Sequence, residues 1–310
     1  MIAFQFPGQG SQSVGMGAAL ADAYPEARAV FDEGDDALGF EISRLCWEGP
    51  IEQLTETENA QPALLVHSVA VTRVLVARGV TPDAAAGHSL GEFSAHVAAG
   101  SIAFADAMRL VHQRGKAMAS AGRKEPGAMA AILGLDGEHV QALCDAARSN
   151  QVLKPANYNS PGQIVISGSV EAVRRAIELA PDHGAKRAIE LNVSGAFHSP
   201  LMAAAADALE EALAEVDMRP AQIPVVANVD ATPVTEPSEI RRYLLDQLTT
   251  PVRWVDCVIA LRDLGARTFV EPGAGGVLTG LLRRIDRTLE GRAVGEPADV
   301  EAVVAAMAAA

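Results

Sequence analysis

Short apolar runs alternate with longer segments of helical periodicity along most of the chain, which predicts an α/β layered fold. Residues 2–6 read as a strand that stops at Pro7-Gly8. Residues 62–78 read as a helix, with Pro62 suited to its first turn and Gly79 to its C-terminal stop. A short strand falls within 80–86, and a second helix spans 102–121. Beyond residue 195 the pattern predicts helices over 200–216, 238–247 and 277–285 and strands over 225–229 and 268–271. The Ala-rich tail, 302–310, reads as a fraying helix end.

The middle of the chain departs from this rhythm. Strand patterns at 127–133, 152–156, 163–167 and 185–191 alternate with helical patterns at 138–149 and 170–179, and residues 157–162 are dense in turn formers. The order β-α-β-β-α-β is that of a ferredoxin-like unit. Residues 125–194 are therefore expected to be a small inserted subdomain. Residues 1–124 and 195–310 would form one larger body, α/β-hydrolase-like with a parallel sheet at its core.

Composition narrows the function classes. The chain has 310 residues, about two domains' worth. It is 49% hydrophobic and 21% charged, a globular balance. A net charge of −14 disfavours general nucleic-acid binding, because such a body repels polyphosphate. Cys46, Cys144 and Cys257 stand far apart with neither metal-type spacing nor an even disulfide frame, which fits a reducing cytosol. The N-terminus lacks the pattern of a secretory leader, and no uncharged apolar run reaches 18 residues, so no membrane span is expected. A cytoplasmic monomer is the default.

Gly87-His88-Ser89-Leu90-Gly91 fits G-x-S-x-G between a predicted strand and a helix over 92–99. That context is a nucleophile elbow. The glycines allow a strained turn, and the helix N-terminus sets free N–H groups beside Ser89. An oxyanion would form there when the serine oxygen attacks a carbonyl. A serine that only caps a helix carries the same local pattern. A hydroxyl nucleophile needs a base. Among the seven histidines, His88 adjoins Ser89 but points elsewhere on the turn. His67, His96 and His112 lie inside predicted helices, and His139 and His183 lie in polar parts of the insert. His198 sits in a connection between a strand and a helix start, where catalytic side chains commonly sit. The alternative is a histidine that merely caps a turn.

On the helix over 102–121, Ala107, Leu110, Val111, Arg114 and Met118 share one face, apolar except for Arg114. An inward guanidinium must find an anion. Either an internal Asp or Glu supplies it, or a substrate carboxylate does. The Gly-rich turns at 6–12 and 272–276 fail the dinucleotide and P-loop patterns, so no nucleotide cofactor is expected. No histidine–carboxylate array suggests a metal. Local positive charge at Lys186-Arg187 and at Arg283, Arg284 and Arg287 marks candidate docking points for an acidic partner.

Nine segments then carry a resemblance. They are Phe6-Pro7-Gly8-Gln9-Gly10-Ser11-Gln12, Gln61-Pro62-Ala63, Gly87-His88-Ser89-Leu90-Gly91-Glu92, Arg114-Gly115-Lys116, Gly127-Ala128-Met129-Ala130, Asn157-Tyr158-Asn159-Ser160-Pro161-Gly162-Gln163, Gly195-Ala196-Phe197-His198-Ser199, Asn228-Val229-Asp230, and Gln247-Leu248 ahead of Pro251-Val252. Together they resemble the malonyl-CoA:acyl carrier protein transacylase family over nearly the whole chain. That family includes free-standing acyltransferases of fatty-acid and polyketide synthesis.

The resemblance implies a ping-pong malonyl transfer from malonyl-CoA to acyl carrier protein with no resident cofactor. It implies Ser89 as nucleophile, His198 as base and then acid, and a main-chain carbonyl near Gln247 that orients the imidazole. It implies the Gln9 and Leu90 amides as oxyanion hole and Arg114 as the grip on the malonyl carboxylate. Gln61 and Asn159 would line the same cleft. Phe197, in related enzymes, goes with malonyl rather than methylmalonyl. A serine hydrolase or thioesterase shares the elbow and is the rival reading; a non-catalytic acyl-binding protein is a third.

Overall fold

Ala84-Ala85-Ala86-Gly87 is buried along its whole length, as a central parallel strand must be when helices cover both faces of a sheet. Beside it, Phe4 and Phe6 pack to one face of Ile2–Phe6 and Ala3 to the other, and all three are buried. The computed structural model describes residues 1–308; Ala309 and Ala310, the end of the Ala-rich tail, lie outside the described residues.

In chain order the first part contains β1 (Ile2–Phe6), α1 (Ala18–Ala23), α2 (Pro25–Leu38), α3 (Ile42–Glu48), α4 (Ile51–Thr55), α5 (Thr57–Ala77), β2 (Ala84–Gly87), α6 (Gly91–Ala98) and α7 (Phe104–Lys124). The middle contains β3 (Gly127–Leu133), α8 (Gly137–Arg148), β4 (Leu153–Ser160), β5 (Gln163–Ser169), α9 (Val170–Leu179) and β6 (Arg187–Glu190). A 3-10 turn at Pro200–Met202 then leads into α10 (Ala203–Ala214), β7 (Val225–Val226), β8 (Pro233–Val234) and α11 (Pro237–Asp246). The chain continues through α12 (Trp254–Asp263), β9 (Thr268–Pro272), α13 (Val277–Ile285), β10 (Glu290–Val294) and α14 (Pro297–Ala308).

The larger sheet has the order β10-β9-β1-β2-β7-β8. Its strands pair in parallel except for the β7–β8 edge hairpin. The smaller sheet, β4-β5-β3-β6, is antiparallel throughout, and α8 and α9 cover one face with their own apolar cluster. Strand order and pairing are those of the ferredoxin-like unit. The fold is thus mixed α/β, with a parallel sheet and a separate antiparallel one.

Several element boundaries differ from the sequence pattern. The helix expected from Pro62 begins at Thr57, and Pro62 lies inside it. Proline there removes one backbone bond, and the burial of almost the whole helix outweighs that loss. By length and composition α5 is apolar enough to cross a membrane, at mean hydropathy 1.4, but 83% of that window is buried inside the protein, so it is the central core helix.

Residues 157–160 continue strand β4 instead of turning, because β5 pairs with them on one side and the Val252 backbone bonds Ala156 and Tyr158 on the other. Only Pro161-Gly162 turns, with Gly162 at φ 73°. The strand expected over 225–229 stops at Val226, where the chain turns toward Ala231 at φ 60°. The helix expected from Pro200 opens as a 3-10 turn and becomes α-helical at Ala203. The sequence pattern carries no expectation for the short helices α1, α3 and α4, nor for the 14-residue α2 between them.

Candidate active site

β1 and β2 are adjacent and parallel, so their carboxyl ends open side by side, where open α/β sheets place ligands. Gln9 follows one strand and Ser89 the other. The two chains approach so closely at this point that only glycine fits. A Cβ on Gly87 would stand 1.9 Å from the Gly91 carbonyl, and one on Gly91 would stand 2.1 Å from the Phe6 oxygen. Ser89 itself takes φ 52°, a left-handed conformation that costs a non-glycine residue energy. Asn228 holds the turn: its Oδ1 accepts from Ser89 N at 2.7 Å and its Nδ2 donates to Gly87 O at 2.7 Å.

His198 arrives from the connection ahead of the 3-10 turn, also strained at φ 56°. Its Nε2 lies 2.8 Å from Ser89 Oγ. Its Nδ1 lies 2.8 Å from the Gln247 carbonyl, which can only accept. Nδ1 therefore carries the proton, and Nε2 is left to accept the serine's. The carbonyl is available because Gln247 caps α11, where the last C=O groups have no helical partner. Burial, with the Arg114 charge second, pushes the imidazole down to about 3. It is thus neutral and able to take a proton across the physiological range. With free enzyme, kcat/KM for acylation should not fall as pH drops from 7 to 5. A loss centred on the ordinary histidine value of 6.5 would contradict this environment.

Arg114, on α7, is 1% exposed. Its Nη2 donates to Gln247 Oε1 at 2.8 Å and to Ser89 Oγ at 3.2 Å, and its Nη1 donates to Gln61 Oε1 at 2.8 Å. Among the described residues no carboxylate lies within 4.0 Å of it. The internal-partner alternative is thus unsupported at contact range. Burial lowers the guanidinium to about 10, opposed by the more distant Glu92 charge, so it stays cationic.

Phe197, Asn159, Gln9 and Leu90 line the same cleft. Among the described residues, neither the Gln9 nor the Leu90 amide donates to a protein acceptor. Asn159 accepts from His88 Nε2 at 2.8 Å, a tie from the elbow to the smaller sheet. Gln61 departs from expectation: it does not reach the cleft wall but lies buried behind Arg114, since its oxygen is used to steady the guanidinium. The loop at 272–276 opens α13, but the Glu271 carboxylate accepts from the Leu278 and Thr279 amides, so that helix start is occupied from within.

Lys186, Arg187, Arg283, Arg284 and Arg287 are all exposed, and among the described residues none pairs with a carboxylate. Arg187 pairs with Leu133, Leu133 with Gln163, and Gln163 Oε1 accepts from Arg284 at 2.8 Å. This cross-strand row shares its face with Val165, two residues on, which lines the cleft. Arg187 and Arg284 are thus linked along one row of the smaller sheet, two residues from the cleft-lining Val165. Glu92 and Asn228 carry no role in the sequence reading, although both stand in segments that carry the resemblance. The one available signal is a polar side chain beside the elbow.

Comparison with known proteins agrees with the geometry. Residues 3–307 match the acyl transferase domain family. A malonyl CoA-acyl carrier protein transacylase of Bacillus subtilis is 47% identical over 98% of this chain and 96% of its own. The crystal structure of an acyl carrier protein S-malonyltransferase from Vibrio cholerae superposes with TM-score 0.94 at 46% identity, covering 97% of this chain and 99% of that one. A malonyl-transacylase solved in complex with a holo type II PKS acyl-carrier protein superposes with TM-score 0.96 at 44% identity, covering 98% and 99%. With the elbow, its histidine and the buried arginine on one cleft, the chain belongs to the malonyl CoA-acyl carrier protein transacylase family of acyl transferases.

Proposed function

We propose that the chain transfers a malonyl group from malonyl-CoA to the phosphopantetheine thiol of acyl carrier protein through a malonyl ester on Ser89. One observation carries the reading. A single serine oxygen lies between the Nε2 of a tautomer-fixed histidine and an arginine with no carboxylate at contact range. His198 takes the Ser89 proton as Oγ attacks the thioester carbonyl. The Gln9 and Leu90 amides receive the oxyanion, and Arg114 holds the far carboxylate. The tetrahedral intermediate collapses, and His198 returns the proton to the departing CoA thiol. The carrier thiol then enters, gives its proton to His198 and takes the acyl group, and His198 returns that proton to the departing Ser89 oxygen. No cofactor enters either half-reaction.

Phe197 lines the cleft with Ser89 and His198, which supports unbranched malonyl over methylmalonyl by roughly 1–3 kcal/mol. The unpaired cations at Lys186, Arg187, Arg283, Arg284 and Arg287 support docking of an acidic carrier protein over the cleft rim. The carrier belongs to fatty-acid or polyketide synthesis, and the setting is the cytoplasm.

Malonyl-CoA incubated with the enzyme alone should release about one equivalent of CoA, leave a malonyl adduct on Ser89 by intact mass, and yield malonate only slowly. Added carrier protein should discharge the adduct. Rapid turnover to malonate without carrier would make the protein a hydrolase, and absence of an adduct would make it a binding protein.

A further inference from the structure

A buried guanidinium demands a counter-charge, and at contact range Arg114 has only neutral oxygens. A buried carboxyl adjoins the same network. Glu92, in the first turn of α6, is fully buried and does not line the cleft. Its Oε2 accepts from Gln247 Nε2 at 2.7 Å and from Asn228 N at 3.0 Å, while its Oε1 has no partner. The Gln247 amide therefore stands between anion and cation, with Nε2 toward Glu92 and Oε1 toward Arg114. With the amide reversed, its NH2 would face the guanidinium and its oxygen would face the carboxylate and the Ser89 carbonyl.

We propose that Glu92 is a positioning residue: it orients the Gln247 amide, serves as the resting counter-charge of Arg114, and takes up a proton when the malonyl carboxylate replaces it in that role. This rests on the assignment of Ser89 and Arg114 above. Two carboxylates sharing one buried guanidinium repel, and the outer one gains the direct contact. The inner one is neutralised by solvent protons, for which Oε1 is free. Burial already raises Glu92 to about 7, opposed by its bonds from Gln247 and Asn228 and by the Arg114 charge. The other groups facing it are Asp230, after β7, which raises it further, and Cys257, on α12, which burial keeps a thiol.

Sign and size follow. A group that must gain a proton on malonyl binding makes that binding weaker as pH rises through its free value. With malonyl-N-acetylcysteamine, which carries no phosphate, kcat/KM for thiol release should fall on the order of tenfold between pH 7 and 8.5. Glu92→Gln keeps an oxygen for Gln247 and Asn228 but cannot titrate, and its profile should be flat over that range. Acetyl-N-acetylcysteamine, which has no carboxylate, should give a flat profile with either enzyme. A merely structural Glu92 would lower all rates and leave the profile's shape unchanged.

A second measurement needs no variant. Acylation releases a neutral thiol and forms an ester without net protons, so an indicator dye in weak buffer at pH 7.5 reads the protein's own uptake. Up to one proton per malonylated enzyme is expected, and none per acetylated enzyme. A thiol burst without proton uptake, or an alkaline decline that persists in Glu92→Gln, overturns the proposal. Absence of the burst itself would instead overturn the nucleophile assignment.

Discussion

Ser89→Ala should abolish the malonyl adduct and lower malonyl transfer on the order of 10³-fold or more. The substitution removes the oxygen that His198 and Arg114 share but leaves the backbone that shapes the elbow. The Ser89 amide would still donate to Asn228, and the flanking glycines would still pass close to β1. Alanine carries the same left-handed strain as serine at φ 52°, so the thermal midpoint should hardly change. Intact-mass measurement after exposure to malonyl-CoA, beside a melting curve, separates chemistry from folding. A folded Ser89→Ala protein that still acquires a malonyl group would place the nucleophile elsewhere.

Arg114→Ala should cost malonyl transfer about 2–5 kcal/mol, roughly 30-fold to several thousandfold, while acetyl transfer holds or improves. Much of that cost comes from a substrate carboxylate buried without its partner. The variant also leaves the oxygens of Gln61 and Gln247 without their donor, so a moderate fall in stability is expected alongside. The ratio of malonyl to acetyl transfer cancels any general loss of active enzyme, and is the quantity to measure. An unchanged ratio would remove Arg114 from substrate recognition.

Much of the site was legible in one dimension because its chemistry depends on local patterns. The elbow needs glycines on both sides of Ser89, and Gly87 and Gly91 announce it. Arg114 stood out as a charge on an apolar helical face, and it is buried on that face. The ferredoxin-like middle was legible because its strands and helices alternate clearly between periods of two and 3.6. Residues 18–55 were not: α1, α3 and α4 span only five to seven residues each and are held by packing on α5 and α2, and no expectation covers the 14-residue α2 although its length is ordinary. The motif around Gln61 predicts a cleft-lining residue, but a motif gives a residue's neighbourhood in the chain and not the direction of its side chain, which is buried against Arg114.

The sequence by itself determined the layered α/β class, the inserted unit, the strained serine turn and a lone inward cation, because each arises from neighbours within a few turns of chain. Only the tertiary structure decided how those parts meet. Ser89 and His198 are 109 residues apart and His198 and Gln247 are 49 apart, yet consecutive contacts of 2.8 Å join them. The helix cap that leaves the Gln247 carbonyl free, the amide placed between Glu92 and Arg114, and the cross-strand row that links Arg187 to Arg284 are likewise long-range. Such contacts depend on the order in which strands pair and on which polar groups burial leaves without water, and no local pattern encodes either.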